Sequence, residues 1–384
     1  MNKIITLILL SATMLGFSQQ EDKNTNITVT TTIPPGYYST ATGTGYTLKT
    51  QLKTRITTGH VDQGYGSLWT LYTNAAFRDT YYENDNSLID LYSENPTGPD
   101  PYNYTTTGQQ CGNYSNEGDC YNREHIVPQA YFDNVAINPM KNDPFHVAPA
   151  DGKVNGLRDN YPYGKVNVAN TTTLNGSKLG ANLNSGYSAG YTATVFEPVD
   201  EFKGDIARSI FYFVTRYQDD LVSFYNAATV VSKNMFDGTA DNALSPTFLK
   251  ILITWHNLDP VSPKEIERNN AIYAYQGNRN PYIDHPEYIC QIWAAACASL
   301  SNPTMEIASI SIYPNPTNNH KITIESDVAI DDIQLINVNG QLMMEVKNPV
   351  FNSNSYTLEN LPQGFYFLKL SSDNQSTTKK IIVN

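Results

Sequence analysis

Basic residues are scarce in this chain. It carries 25 Lys and Arg against 37 Asp and Glu, which gives a formal net charge of −12 at pH 7. Tight nonspecific binding of nucleic acid requires Lys and Arg side chains that contact many phosphates. The composition therefore argues against such tight binding, and acidity also helps to keep an exported protein soluble.

Long apolar runs are scarce as well. The run from Ile4 to Phe17 follows Lys3 and leads into the small residue Ser18, which predicts a cleaved signal peptide over residues 1–18. An uncleaved membrane anchor is the alternative, but the run is shorter than the roughly 20 residues that a span requires. We find no later segment in the sequence that is long enough to cross a membrane.

Only four cysteines are present, and none forms a close pair near a spaced pair of histidines, so a zinc site is not predicted. Export makes them disulfide candidates. Cys111 and Cys120 bracket a loop that can turn back on itself, and we predict that bridge. Cys290 and Cys297 lie in a helix-favouring stretch, where a continuous helix would hold their Cα atoms roughly 10 Å apart, beyond the reach of a disulfide. Their pairing requires the helix to end between them and stays open.

The chemistry of the chain is concentrated in two segments. Residues 120–128 (CYNREHIVP) place the carboxylate of Glu124 beside the imidazole of His125 in a strand-like frame. Residues 154–160 (VNGLRDN) then supply Asn155 and Arg158. Together they offer a hard oxygen ligand, a base that titrates near neutral pH, a second oxygen ligand and a cation, the parts needed for metal-assisted cleavage of a phosphodiester.

These two segments resemble the endonuclease I family. The resemblance continues through residues 143–156 (DPFHVAPADGKVNG) and residues 276–282 (QGNRNPY). Members of the family use a finger of strand, loop, strand and helix, with a histidine and a metal ion, to cut DNA and RNA without sequence preference. The resemblance implies an α+β fold, in which a mixed helical nuclease domain with an embedded ββα-metal finger precedes a small antiparallel β-sandwich.

The resemblance also implies roles for individual residues. Glu124 and Asn155 would bind the metal ion, His125 would take a proton from the attacking water, and the products would carry 5′ phosphates. Oxygen ligands suit Mg²⁺, with Mn²⁺ or Ca²⁺ as substitutes. Residues 121–170 carry five Lys or Arg against five Asp or Glu, so bound metal must supply much of the local positive charge.

Two questions of geometry follow. Adjacent side chains on an ideal strand point to opposite faces, so Glu124 and His125 can share one site only if the strand ends or bulges there. Pro149 is predicted to open a helix in which Asp151 and Asn155 share a face.

Further residues complete the predicted site. Arg158 is a candidate for phosphate contact, with a structural pairing to Asp151 or Asp159 as the alternative. Relatives often have His at the position of Phe145; here His146 and Asp151 are predicted to orient the metal ligands, and plain packing is the alternative for His146. The candidate nucleic-acid contacts are Arg123, Lys153, Arg158 and Asn160.

The sequence divides into successive regions. Residues 19–32 read as a polar leader, residues 33–300 as the nuclease domain, and residues 301–308 as a linker. Within the nuclease domain, apolar spacing predicts helices over residues 200–224 and about 245–256, and Pro263 opens a third. His256 and His285 are predicted to be scaffold histidines.

Residues 309–384 have the alternating pattern of short strands, with Asn339 and Gly340 as a hairpin turn, and predict an antiparallel sandwich. The Tyr313 to Pro316 opening and the Lys379, Lys380 end resemble the C-terminal sorting domain of type IX secretion. A generic sugar-binding or adhesive sandwich is the alternative.

The sequence therefore predicts a secreted, metal-dependent, nonspecific endonuclease that acts on DNA and RNA. We expect it to engage the type IX secretion machinery, to have no membrane span and to be a monomer. One alternative is a surface binding protein with a catalytically silent nuclease fold. The other is a phosphodiesterase that acts on smaller esters.

Overall fold

The computed structural model describes residues 33–105, 107–301, 310–352, 354–372 and 375–384. The predicted signal peptide (1–18), the polar leader (19–32) and nearly all of the predicted linker (301–308) lie outside the described residues. In the part that is described, no helix combines the length and the apolar character needed to span a membrane.

Helices and strands are both present. The α-helices are α1 (Gly45–Thr57), α2 (Leu68–Leu71), α3 (Gln129–Phe132), α4 (Gly152–Arg158), α5 (Lys203–Arg216), α6 (Leu221–Ala227), α7 (Pro246–Leu258), α8 (Pro263–Gln276), α9 (Pro281–Asp284), α10 (Tyr288–Ile292) and α11 (Ala294–Ser301). The strands are β1 (Tyr121–His125), β2 (Val147–Asp151), β3 (Val166–Thr172), β4 (Lys178–Asn182), β5 (Thr194–Glu197), β6 (Ile310–Tyr313), β7 (Ile322–Ser326), β8 (Asp332–Asn337), β9 (Leu342–Lys347), β10 (Ser355–Leu358), β11 (Gly364–Ser372) and β12 (Gln375–Val383).

Every sheet described is antiparallel. β1 pairs with β2, and β3, β4 and β5 form a second sheet. In the C-terminal region, β10, β7 and β6 form one sheet, and β12, β11, β8 and β9 form another. The prediction of a mixed helical and sheet protein with antiparallel C-terminal sheets is confirmed.

Helix α5 lies at the centre of the main core. All of its residues are buried, and it packs against α1 and α7. A helix that is buried on every side is expected at the core of a large domain. This core also holds β1 and β2, whose apolar residues Tyr121, Val147 and Ala148 belong to the same cluster.

The helix predicted over residues 200–224 is not continuous. A short 3₁₀ turn over Asp200–Phe202 precedes α5, and the chain leaves the helix after Arg216 before α6 begins. The intervening stretch contains Asp219 and Asp220, and Asp is a weak helix former. Apolar periodicity continues across the break, which is why the sequence pattern did not reveal it.

The other two helix predictions are confirmed by α7 and α8. Ser262 and Glu265 form a reciprocal capping box at the start of α8, and Pro263 occupies its first turn. Gly277 ends the helix with a φ of 85°, a left-handed conformation that glycine adopts without steric cost.

Both cysteine pairs are disulfide-bonded. Cys111 and Cys120 have Cα atoms 5.7 Å apart, as predicted. Cys290 and Cys297 have Cα atoms 5.6 Å apart, because α10 ends at Ile292 and α11 begins at Ala294. The helix therefore ends between the two cysteines, as the Cys290–Cys297 disulfide requires.

The C-terminal region has its own apolar core, formed by residues such as Ile322, Ile324, Leu368 and Leu370. Asn339 and Gly340 lie in the turn that joins β8 to β9, as the sequence predicted.

Candidate active site

Strands β1 and β2 and helix α4 position the predicted site residues. Glu124 pairs with Ala148 and His125 with Val147 across the two strands. Asp151 ends β2 and caps α4, because its Oδ1 accepts a hydrogen bond from the Val154 amide at 2.8 Å.

The prediction that Pro149 opens this helix is wrong. Pro149 lies in β2 opposite Arg123, and α4 starts only at Gly152. The two-stranded sheet accommodates proline because a strand without a neighbour on one side needs fewer amide donors.

The carboxylate of Glu124 is buried and is contacted by three hydrogen-bond donors. Its Oε1 lies 3.0 Å from Arg158 Nη1 and accepts hydrogen bonds from the hydroxyls of Tyr92 at 2.8 Å and Tyr163 at 3.0 Å. Burial raises the pKa of Glu124, and Arg158 and the two tyrosines oppose that rise. These three contacts all fall on Oε1.

Arg158 is 1% exposed and faces the protein interior. Besides Glu124, its guanidinium donates to the carbonyl oxygens of His125 at 2.9 Å and Ile126 at 2.8 Å. Its partner is therefore neither Asp151 nor Asp159, and its burial argues against the predicted phosphate contact. Arg158 instead ties α4 to the end of β1.

His125 is the last residue of β1, so the strand ends where the predicted site requires it. Its Nε2 lies 3.2 Å from the carbonyl oxygen of Lys141, and its ring stacks on Tyr65 with centroids 5.8 Å apart. Burial, followed by the charge of His146, lowers the pKa of His125 to about 3. The imidazole is therefore neutral at pH 7, with Nε2–H donating to the carbonyl and the lone pair on Nδ1.

Asn155 lies on α4 against β1. Its Nδ2 donates to Asn122 Oδ1 at 2.6 Å and to the Arg123 carbonyl at 3.3 Å, which leaves Oδ1 as the atom with ligand character. The Glu124 carboxylate and the His125 ring have different neighbours. Within the described residues, no hydrogen bond joins the side chain of Asn155 to that of Glu124 or His125.

Chemically, the oxygens present fit a divalent ion. One buried carboxylate oxygen and one amide oxygen are hard ligands, which Mg²⁺ and Ca²⁺ prefer.

Aromatic rings and cations surround Tyr65 on the His125 side. The Arg123 guanidinium lies 3.3 Å from the centroid of Tyr65 and 4.1 Å from that of Trp69, and Lys141 Nζ lies 4.6 Å from Tyr65. Tyr65 belongs to the walls of two open grooves, of about 470 and 400 Å³. Rings interleaved with cations are the usual surface for binding single-stranded nucleic acid.

The remaining predicted site residues are Lys153, Asn160 and His146. Lys153 is exposed on α4, and Asn160 donates a hydrogen bond to Asp159. His146 is buried; its Nε2 lies 2.6 Å from the Met140 carbonyl, and its ring centroid lies 6.0 Å from that of His125.

The segment 276–282 supports the loop before β2. Gln276 Nε2 donates to Asp143 Oδ1 at 2.9 Å, and Tyr212 and Tyr217 donate to Asp143 Oδ2. Asp143 in turn accepts from the Phe145 amide at 3.1 Å. The segment 276–282 therefore stabilises the loop before β2 through the Gln276–Asp143 hydrogen bond.

The predicted scaffold histidines lie apart from these groups. His256 contacts Arg208, and His285 stacks on Tyr288.

Sequence reasoning missed Tyr65, Trp69, Tyr92, Tyr163 and Lys141. The two tyrosines on Glu124 come from distant parts of the chain, and their hydroxyls lie 2.8 Å from each other. The only available signal was abundance, because the chain contains 27 tyrosines.

Comparisons with known proteins match two parts of this chain to known families. Residues 44–287 match the family described as Endonuclease I, and residues 311–384 match the secretion system C-terminal sorting domain. An extracellular ribonuclease of Bacillus subtilis is 33% identical over 261 residues, which are 67% of this chain and 78% of the relative. An extracellular ribonuclease of Bacillus amyloliquefaciens is 32% identical with the same coverage. An endonuclease-1 of Buchnera aphidicola is 26% identical over 42% of this chain and 58% of its own length.

Proposed function

The chain belongs to the endonuclease I family and carries a type IX secretion sorting domain, and from this premise we propose that it is a metal-dependent extracellular endonuclease. We infer that it cleaves both DNA and RNA without sequence preference and leaves 5′-phosphate ends. The observation that carries the proposal is the position of His125, whose Nε2 lies 3.2 Å from the Lys141 carbonyl oxygen and whose ring stacks on Tyr65 beside the cations Arg123 and Lys141.

His125 acts as the proton acceptor in this proposal. With Nε2–H fixed on the Lys141 carbonyl, Nδ1 takes the proton from an attacking water. Tyr65 holds the ring from one face, which limits its rotation. Lys141 and Arg123 bring positive charge toward the phosphate, and Lys153 on α4 and Asn160 in the turn after it extend the contact.

Glu124 Oε2 and Asn155 Oδ1 are the atoms that would hold Mg²⁺, with Mn²⁺ or Ca²⁺ as substitutes. When bound, the ion polarises the scissile phosphate and stabilises the leaving 3′ oxygen. Arg158, Tyr92 and Tyr163 fix the Glu124 carboxylate through Oε1. His146 and Asp151 act through packing and through the cap of α4 and do not touch the substrate.

The proposal is tested on the purified protein with plasmid DNA, RNA and a small phosphodiester, each with and without EDTA. We expect loss of plasmid and RNA that stops when EDTA is added and resumes with excess Mg²⁺. End-labelling of the products should show 5′ phosphates. Cleavage of the small ester alone would contradict the proposal, and so would the absence of any cleavage.

The sorting domain makes this an exported protein, and we propose that a signal peptide over residues 1–18 is removed on the way. Deletion of residues 309–384 should leave the nuclease active but retained in the periplasm. Activity assays on cell fractions check this, and a truncated chain that still reached the medium would contradict the assignment.

A further inference from the structure

A cluster of three carboxylates lies outside the proposed catalytic site. Glu83, Glu94 and Asp100 each offer one oxygen, and these oxygens all lie within 4.8 Å of one another. Glu83 is exposed, Asp100 is half-buried and Glu94 is fully buried at 0% exposure. Three like charges at this separation repel one another unless a proton or a cation lies among them.

The carboxylate of Glu94 has no hydrogen-bond partner within the described part of the chain. Both of its carboxylate oxygens are buried and lack a donor. A buried carboxylate without a donor or cation carries a large desolvation cost, so such a group is expected to be neutralised. Asp100 uses one oxygen to accept from the Asn95 amide at 2.6 Å.

Nearby cations do not neutralise the cluster. Lys264 is the cation that acts on Glu94, but its Nζ is paired with Asp205 at 2.8 Å. Burial first, and then the other carboxylates, raise the pKa of Glu94 to about 9 and that of Asp100 to about 6. These shifts are what a set of carboxylates shows when its positive partner is missing.

We propose that Glu83, Glu94 and Asp100 bind a divalent cation, Ca²⁺, at a site separate from the catalytic residues. Three carboxylates on loops can supply oxygen ligands at Ca²⁺ distances, and water completes a shell of six to eight. Ca²⁺ fits better than Mg²⁺ because it tolerates irregular geometry. The exposed Glu83 gives the ion access to the buried Glu94.

An ion at this site would stabilise the position of Tyr92, which donates a hydrogen bond to the Glu124 carboxylate. Glu94 follows Tyr92 by two residues, and Tyr92 donates to Glu124. The backbone oxygen of Glu94 accepts from Asn175 Nδ2 at 3.2 Å, which joins this segment to the sheet formed by β3, β4 and β5. Bound Ca²⁺ therefore stabilises the segment that presents Tyr92.

Equilibrium dialysis with radioactive Ca²⁺ at pH 7.5 tests the proposal on the full purified chain. The wild type should bind one more Ca²⁺ per chain than Glu94→Gln, and Asp100→Asn should also lose that ion. Asp133→Asn, which removes an exposed carboxylate elsewhere, should keep the wild-type stoichiometry. The difference between variants does not depend on any ion at Glu124.

Thermal unfolding gives a second readout. Ca²⁺ at about 100 times its Kd should raise the Tm of the wild type by roughly 5–10 °C more than it raises the Tm of Glu94→Gln, because the variant lacks only the ion at this cluster. Glu94→Gln without Ca²⁺ should be at least as stable as the wild type, because a buried amide is uncharged and needs neither a proton nor a cation to neutralise it. Equal stoichiometry and equal Tm response in the wild type and both cluster variants would overturn the proposal and leave a shared proton as the explanation.

Discussion

The guanidinium of Arg158 compensates the negative charge of the buried Glu124 carboxylate. A buried ion pair is costly unless hydrogen bonds accompany it, and here two tyrosine hydroxyls donate to Glu124 while two carbonyl oxygens accept from Arg158. Removing the cation would leave the Glu124 charge buried without its main partner.

We therefore predict that Arg158→Ala lowers the free energy of unfolding by about 3–5 kcal/mol. Lys153→Ala, on an exposed position of the same helix, should change it by less than about 0.5 kcal/mol. Urea unfolding followed by circular dichroism measures both. If Arg158→Ala kept wild-type stability and lost only cleavage, Arg158 would be a substrate contact and not a structural cation.

Tyr65 is the residue around which His125, Arg123 and Lys141 gather. Tyr65→Ala should reduce kcat/KM on single-stranded DNA by roughly tenfold or more, because a stacking ring contributes about 1–3 kcal/mol. Tyr65→Phe keeps the ring and should remain close to the wild type. A Phe variant as impaired as the Ala variant would show that the hydroxyl matters more than the ring.

At the scale of elements, the positions of β1, β2 and α4 depend on the junction between β2 and α4. Asp151 caps α4 through Oδ1, while Oδ2 accepts from the Tyr104 hydroxyl at 2.6 Å and the Gly118 amide at 2.8 Å. One side chain thus fixes the helix that carries Asn155 and the loop closed by the Cys111–Cys120 disulfide.

Asp151→Ala should therefore lower the free energy of unfolding by about 2–4 kcal/mol, because it removes the cap and leaves the buried Tyr104 hydroxyl and the half-buried Gly118 amide without an acceptor. Denaturant titration measures this change, with the exposed Asp133→Ala as the matched control. A change for Asp151→Ala no larger than that of the control would contradict this role for the cap.

Elements with local signals were predictable from the sequence. Ser262, Pro263 and Glu265 start α8, and Asn339 with Gly340 turns β8 into β9, because each signal acts within a few residues. Pro149 misled the prediction because its pairing with Arg123 is set by the tertiary structure. Tyr92 and Tyr163 could not be assigned to Glu124, since no local pattern specifies which distant hydroxyl reaches a buried carboxylate.

At the scale of the whole molecule, buried titratable groups make stability depend on pH. Burial lowers the pKa of His146 and of His256 to about 4, against about 6.5 in the unfolded chain. Between these values the unfolded state binds more protons, so each histidine withdraws stability as the pH falls from 6.5 to 4. Buried carboxyls with raised pKa values, such as Glu94 and Asp90, act in the opposite direction.

The histidine effect is therefore measured as a difference. At pH 7.5 the free energy of unfolding of the wild type should exceed that of His256→Gln by a certain amount, and this difference should be smaller by roughly 1–3 kcal/mol at pH 4. The reason is that only the wild type must keep an imidazole buried and neutral. Urea midpoints at four pH values between 7.5 and 4 measure it. A difference that stayed constant over this range would show that His256 keeps an ordinary pKa in the folded protein.

The most direct test of the catalytic account is the rate of plasmid cleavage by His125→Ala at saturating Mg²⁺, compared with the wild type and with His285→Ala. The account predicts a fall of about 10² or more for His125→Ala and no change for His285→Ala, because only His125 accepts the proton. A His125→Ala protein that cut plasmid at the wild-type rate would contradict it.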